Sequence, residues 1–413
     1  MSLFFSEENE IKGGDKNTIA GGLHVVGDRD IIRQIYADNG FGATYYRFQR
    51  DLDVEFDAEG RVHSFSLPIH AKCDISKIAL LWHLKTLGFK KTWQSRVSVP
   101  PLAQLYDHPT LERVIFESVL FQNPAVVCEL NPDQISSLAF RYTHYNSWDT
   151  LAQFTLLHEL ELVLKNRIDW PTICNFSELR ALSIYGGGVP TLVGIERLDN
   201  LEELSVLGNP GIRDVRSLSN CQILSTLRLS DASASNLAPL ADLSNLKVLE
   251  WHECASTDYS PLGKLAGLTQ LDLYKAQVTD VSFLGNFSQL RSLQLEGTQV
   301  ADITPLQNCL ALEDLNLSQT PTQDLHSLQN LPELRVLDLN KTRLADLAPL
   351  STLPSLETLY LIDAHWDDLL PLAGAVSLRA LHVRESQDPA VQDQLRQLVA
   401  ACPDLQVEIY PLG

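Results

Sequence analysis

From Leu246 the chain repeats one phrase, L-x-x-L-x-L, which begins again at Leu268, Leu290, Leu312, Leu334, Leu356 and Leu378, each 22 residues after the last. A fixed period in this range is the signature of a stacked architecture, and it limits the fold more than any other feature. In Leu268-Thr-Gln-Leu271-Asp-Leu273 the leucines fall on alternate sides of the intervening residues. That spacing predicts a short strand with its leucines turned inward and the residues between them on the opposite face. One such unit cannot bury its apolar side alone, so it must stack on its neighbours. The core is a solenoid.

The phrase also appears upstream, at Leu157/Leu160/Leu162, Leu179/Leu182/Ile184, Leu201/Leu204/Val206 and Leu224/Leu227/Leu229, and less regularly at Val62/Phe65/Leu67, Leu84/Leu87/Phe89, Leu111/Val114/Phe116 and Ile135/Leu138/Phe140. About fifteen units result, enough for a core that grows along one axis. Five segments follow. Residues 1–27, polar and Gly-rich, read as a flexible arm. Residues 28–61 read as an N-terminal capping region. In it Asp28 or Asp30 caps a helix through Ile31, Ile32, Ile35 and Tyr36, Asn39-Gly40 stops that helix, and Leu52–Phe56 turns at Asp57–Gly60 into a second strand. Residues 62–156 hold irregular repeats with an insertion at Trp93–Pro101, and residues 157–387 hold regular ones. Residues 388–413 form a C-terminal cap: Asp388-Pro389 starts a helix carrying Val391, Leu395, Leu398 and Val399, and Leu405 to Ile409 adds a last strand that shields the open end.

The second half of each unit, as in Val278-Thr-Asp-Val-Ser-Phe-Leu284, Val300-Ala-Asp-Ile-Thr-Pro-Leu306 and Leu344-Ala-Asp-Leu-Ala-Pro-Leu350, resembles the leucine-rich repeat, closest to the 22-residue bacterial type of the internalins. The opening, Ile35-Tyr36 with Asn39-Gly40 and Gly60-Arg-Val62, is more weakly similar to segments that precede such repeats in bacterial proteins. The resemblance implies an α/β leucine-rich-repeat solenoid, a curved horseshoe with a parallel β-sheet on its concave face and short helical turns on its convex face. It implies binding as the activity, because the family has no shared catalytic residues. The chain departs from the family where an asparagine usually closes the strand, holding instead Thr298, Thr320, Thr342, Ala232, Ala276, Cys254 and Ala364. Threonine hydroxyls can bond the turn backbone in its place.

A formal charge of −20 and a pI near 4.9 disfavour nucleic acid, which needs clustered Lys and Arg, and favour a protein partner with a basic patch. No apolar run reaches the 18 or so residues of a membrane span, and the first residues lack the pattern of a signal peptide. Seven cysteines are scattered without a C-x-x-C pair. Cys221 and Cys309, in matching places four units apart, would be about 20 Å from each other. They read as reduced, buried small side chains. The expected setting is a monomer in the bacterial cytoplasm, with a secreted effector as the alternative.

Asp258, Asp280, Asp302, Asp324, Asp346 and Asp368 recur every 22 residues. They are either a cation or basic-peptide track or caps of short turns on the outer side. The Pro-Leu that often follows favours caps. On the inner face a central column runs Glu161, Ser183, Ser205, Arg228, Glu250, Asp272, Gln294, Asn316, Asp338, Tyr360, His382. The column beyond it includes Tyr185, His252, Tyr274, Asn340 and Arg384. Neither column is needed for the core, so both are free for a ligand. From them Tyr185, Arg228, His252, Asp272, Tyr274, Asp338, Tyr360 and His382 are the expected partner-binding residues, Tyr and Arg being frequent interface anchors. No catalytic, cofactor or metal site is expected. His158-Glu159 and His252-Glu253 lack the second histidine of H-E-x-x-H, and Gly186-Gly187-Gly188 lacks the Gly-Lys-Ser/Thr of a phosphate loop. A recognition subunit serving an enzyme elsewhere is the rival reading.

Overall fold

Short strands at a constant chain offset are what a 22-residue apolar phrase dictates, and the computed structural model is built from them. It describes residues 18–19, 23–24, 27–39, 54–69, 73–91 and 98–411. The chain forms two units, residues 1–154 and 155–413, a coarser division than the five segments expected.

In the first unit β1 (Thr18–Ile19) and β2 (Leu23–His24) pair antiparallel. The rest of the expected arm, up to residue 26, lies outside the described residues. Helix α1 (Asp28–Asp38) buries Ile31, Ile32, Ile35 and Tyr36, the stripe expected of it. The expected aspartate cap is corrected. Gly27 occupies the cap position and no side chain caps the helix. Asp28 and Asp30 lie in the first turn, where negative charge suits the helix dipole, and Asp28 Oδ2 accepts the Val62 N–H at 2.8 Å. That bond ties the helix to β4 (Val62–Ile69). Strand β3 (Val54–Phe56) pairs antiparallel with β4 through the turn at Asp57–Gly60. Leu52 and Gly40 fall outside the described residues.

Strands β5 (Thr86–Lys91), β6 (Arg113–Glu117) and β7 (Ser137–Thr143) follow β4 in parallel. The offset from Thr86 to its partner Arg113 is longer than that from Arg113 to Ser137, as an insertion near Trp93–Pro101 requires. Residues 92–97 themselves are not described. All four irregular phrases are buried. In the last three the third inward place is aromatic, so Phe89, Phe116 and Phe140 stack at 5.7 and 5.3 Å between ring centroids, which suits offset-stacked rings.

The second unit is an open parallel sheet. Its strands are β8 (Glu159–Leu164), β9 (Ala181–Gly186), β10 (Glu203–Leu207), β11 (Thr226–Ser230), β12 (Val248–His252), β13 (Gln270–Asp272), β14 (Ser292–Gln294), β15 (Asp314–Asn316), β16 (Val336–Asp338), β17 (Thr358–Leu361), β18 (Ala380–Arg384) and β19 (Gln406–Tyr410). Leucine pairs with leucine down the ladder, Leu249 to Leu271, Leu293, Leu315, Leu337, Leu359 and Leu381. A helical turn α2 (Trp170–Ile173), then a run of 3-10 turns such as Thr304–Asn308 and Ala348–Thr352, forms the opposite side. After Ile184 the chain turns through Gly186, Gly187 and Gly188, all with φ between 60° and 72°, a sequence of left-handed residues that side chains disfavour. The triplet is turn chemistry.

Two columns of the repeat serve the scaffold. Asp258, Asp280, Asp302, Asp324, Asp346 and Asp368 each accept, through Oδ1, the backbone N–H two residues on, at 2.7–3.0 Å. Each therefore closes the approach to a 3-10 turn, one residue before its cap position. In the column where asparagine is usual, Thr298 and Thr320 are buried, and their hydroxyls donate to Leu295 O and Leu317 O at 2.7 Å.

A third column was not read from the sequence at all. Asp231, Glu253, Lys275, Gln319, Lys341 and Asp363 have φ of 52–58°, with Gly297 at 73° in the same series. Each of these units leaves its strand through one left-handed residue, and glycine announces it only at Gly297 and, upstream, at the matching Gly186 and Gly208.

The C-terminal helix α3 (Pro389–Ala401) is capped as expected, Asp388 accepting the Ala390 N–H at 2.9 Å. The strand β19 pairs along β18, where Leu381 and Val383 are buried, while Ile409 itself is 57% exposed, Val399 is exposed and α3 buries only Leu398 fully. The cysteines are all free. Cys174, Cys221, Cys254 and Cys309 are buried, while Cys73, Cys128 and Cys402 are only partly so, a correction to the expected uniform burial that falls in the less regular units. Burial pushes the Cys174 thiol up to about 12 and those of Cys221 and Cys309 to about 11, so these groups stay protonated and inert.

Candidate partner-binding face

The period-2 geometry of a strand puts the residue between two inward leucines on the open side of the sheet. The ladder carries this through, since Ser183, Ser205, Arg228, Glu250, Asp272, Gln294, Asn316, Asp338, Tyr360 and His382 pair directly, one to the next. The register adds a member that sequence reasoning missed, Glu408 opposite His382. The insertion of α3 breaks the 22-residue count before β19, so spacing alone could not place it.

The expected site residues do not gather into one cluster. Arg228 and Glu250 form an ion pair at 2.8 Å, both half-buried. Next to them His252 Nε2 lies 3.0 Å from Asp272 Oδ2, a charge contact in which the N–H is not aligned as a hydrogen bond. The Asp272 carboxylate raises the His252 imidazole above its ordinary range, against the opposing effect of burial. Tyr274 meets the His252 ring edge-on at 5.7 Å, and the Lys275 ammonium sits 4.8 Å from the Tyr274 centroid. Tyr185 stands apart on β9 and is the most presented of the set, at 58% exposure.

At the other end Tyr360 stacks on His382 with ring centroids 4.2 Å apart and planes 13° from parallel. Tyr410 packs against the same imidazole at 5.9 Å, and Glu408 Oε2 lies 3.1 Å from His382 Nδ1. His382 is consequently only 7% exposed. The expectation that it presents itself to a partner is corrected: its neighbours cover it, and it orients Tyr360 and Tyr410.

A further correction concerns freedom. Strands β13 to β16 are three residues long, so the chain turns at once and an N–H two residues on needs an acceptor. Asp272, Asn316 and Asp338 supply it, each Oδ1 accepting from residue i+2 at 2.8–2.9 Å. These side chains serve the fold as well as the surface. Burial also raises the Asp338 carboxyl above the usual range, as it does that of Asp314 in the column beside it. Arg384 is held by Asp363 through two contacts of 2.8 Å.

Among the described residues no three His, Cys, Asp or Glu side chains converge as a metal site, and no helix is long and apolar enough to cross a membrane. A cleft of about 260 Å³ lies on the turn side, lined by Asp302, Thr304, Gln307, Asp324, His326 and Ser327. Its carboxylates are those already bonded to turn N–H groups.

Residues 332–374 match the family model described as leucine-rich repeats in two copies. Among curated proteins none matches the chain. Among solved structures, an internalin (inlF) from Listeria monocytogenes shares 20% identity with a TM-score of 0.60, covering 70% of this chain and 82% of that one. A leucine-rich-repeat protein from Leptospira interrogans shares 17% with a TM-score of 0.61, covering 87% and 97%. The functional domain of InlJ from Listeria monocytogenes shares 18% with a TM-score of 0.58, covering 83% and 71%. At such identities the likeness is one of fold. Taken with the phrase, its period and the ladder it builds, it gives this chain the leucine-rich-repeat fold, made of 22-residue units and similar to the solved internalins.

Proposed function

We propose that the protein is a non-enzymatic interaction module that binds a protein partner on the concave sheet face of residues 155–413. One observation carries this reading: eleven consecutive strands, β8 to β18, hold their inter-leucine residues in one uninterrupted register, a surface of mixed aromatic, acidic and amide groups that the core does not use. Tyr185, Arg228, His252, Asp272, Tyr274, Asp338 and Tyr360 belong to it, with His382 as support. The scattered, free cysteines favour a reducing compartment and hence the cytoplasm, in keeping with the bacterial setting expected from the repeat type. The partner presents a basic or hydrogen-bond-donating patch, complementary to the acidic face.

The test begins with affinity capture by the intact protein and mass spectrometry, followed by a scan of both faces against the captured partner. Tyr185→Ala and Tyr274→Ala are expected to weaken binding by more than about 1 kcal/mol each if they are anchors. Gln307→Ala, on the turn side, is expected to change nothing. Loss of binding from turn-side changes alone would move the site to the other face.

A further inference from the structure

The geometry points to one occupant for the middle of this face: a basic segment of a protein partner, its cationic side chains over Asp314 and Asp338 and its ends on the His252–Tyr274 and Tyr360–His382 pairs. This rests on the binding reading above and narrows it to a ligand class. The first observation is where the positive charge goes. The arginines of the face, Arg228 and Arg384, are neutralised within the chain by Glu250 and Asp363. The second is where it does not go. Among the described residues no basic side chain forms an ion pair with Asp314 or Asp338, whose contacts are with Gln294 and Asn340, whereas Glu296 bonds Gln319 and has the charge of Lys275 nearby.

Asp314 and Asp338 are half-desolvated without a countercharge, an arrangement that opposes folding and that a docked cation relieves. Burial holds Asp314 and Asp338 above the ordinary carboxyl range, and for Asp338 the nearby Glu296 and Asp314 add to it. The third observation is spacing. The aromatic pairs reach this stretch from β13 and β17, four strand spacings apart, or roughly 19 Å. An extended segment covers that distance in about six residues.

The test uses a synthetic seven-residue peptide with tryptophan at each end and alternating lysine and alanine between, followed by fluorescence anisotropy at low ionic strength. Controls are the same peptide with glutamate for lysine, and a convex-side variant, Gln307→Ala. Wild-type protein is expected to prefer the lysine peptide by about tenfold or more, with binding that weakens as salt rises. Asp314→Asn combined with Asp338→Asn should lose that preference, and Asn316→Trp should block the face sterically. A melting curve separates site from scaffold, because Asp314→Asn is expected to hold or raise the melting temperature while weakening binding. If the Asn variants bind as wild type but Asn316→Trp blocks, the face binds and the basic-segment inference is overturned. Equal binding of the two peptides, or binding of neither, overturns it as well. Loss confined to Gln307→Ala would sink both the inference and the concave-face reading.

Discussion

Leu315 and Leu310 stand five residues apart in one repeat, and replacing each with Ala separates position from composition. Leu315 is fully buried, in register between Leu293 and Leu337, whereas Leu310 is 51% exposed in the loop before the strand. Removing buried methylenes costs about 0.8 kcal/mol each in transfer alone. At Leu315 the leucines above and below are fixed by their own units and cannot collapse into the gap, so the cavity adds to this, giving about 2–5 kcal/mol in all. Leu310→Ala leaves no enclosed cavity and should fall within about 0.5 kcal/mol. Urea unfolding followed by circular dichroism measures both. Because stacked units couple mainly to neighbours, the slope of the transition must be compared as well as its midpoint. Equal losses at the two positions, or a loss below about 0.5 kcal/mol at Leu315, would refute the buried-ladder argument.

Asp302→Ala should cost roughly 0.5–2 kcal/mol by orphaning the Thr304 N–H, while Asp302→Asn keeps the acceptor and most of the stability; thermal melts compare them, and a calcium-dependent rise in melting temperature that Asn removes would revive a cation site. Lys341→Gly should stabilise by up to about 1 kcal/mol, relief of left-handed strain exceeding the entropy of an added glycine. The reverse change at Gly297, where a Cβ would meet Lys275 Cγ at 2.9 Å, should destabilise. For Asp314→Asn the sign follows from a carboxyl whose folded pKa lies above its unfolded value of about 4. Ionisation then opposes folding at neutral pH and not below the unfolded pKa, so the variant should gain stability at pH 7 and lose that advantage by pH 3. Melting temperatures across that range that stay parallel would contradict it.

The period, the inward leucines and the inter-leucine face were legible in the sequence because a strand's alternation is local and a 22-residue repeat forces each unit to copy the last. The same locality made the aspartate column readable as turn chemistry, since an Asp and the N–H two residues on are chain neighbours. Relations across the ladder were not readable in this way. Asp28 bonds Val62 N–H and caps no helix, and Asp272 faces His252 one strand away. His382 vanishes beneath Tyr360 and Tyr410, the latter delivered by a strand that follows an inserted helix. The left-handed column stayed hidden because most residues in it have a side chain, and only the backbone path reveals the turn. Sequence determined which residues face outward. The stacking of strands about 4.8 Å apart decided which of them meet, and therefore which charges are already neutralised and which remain for a partner.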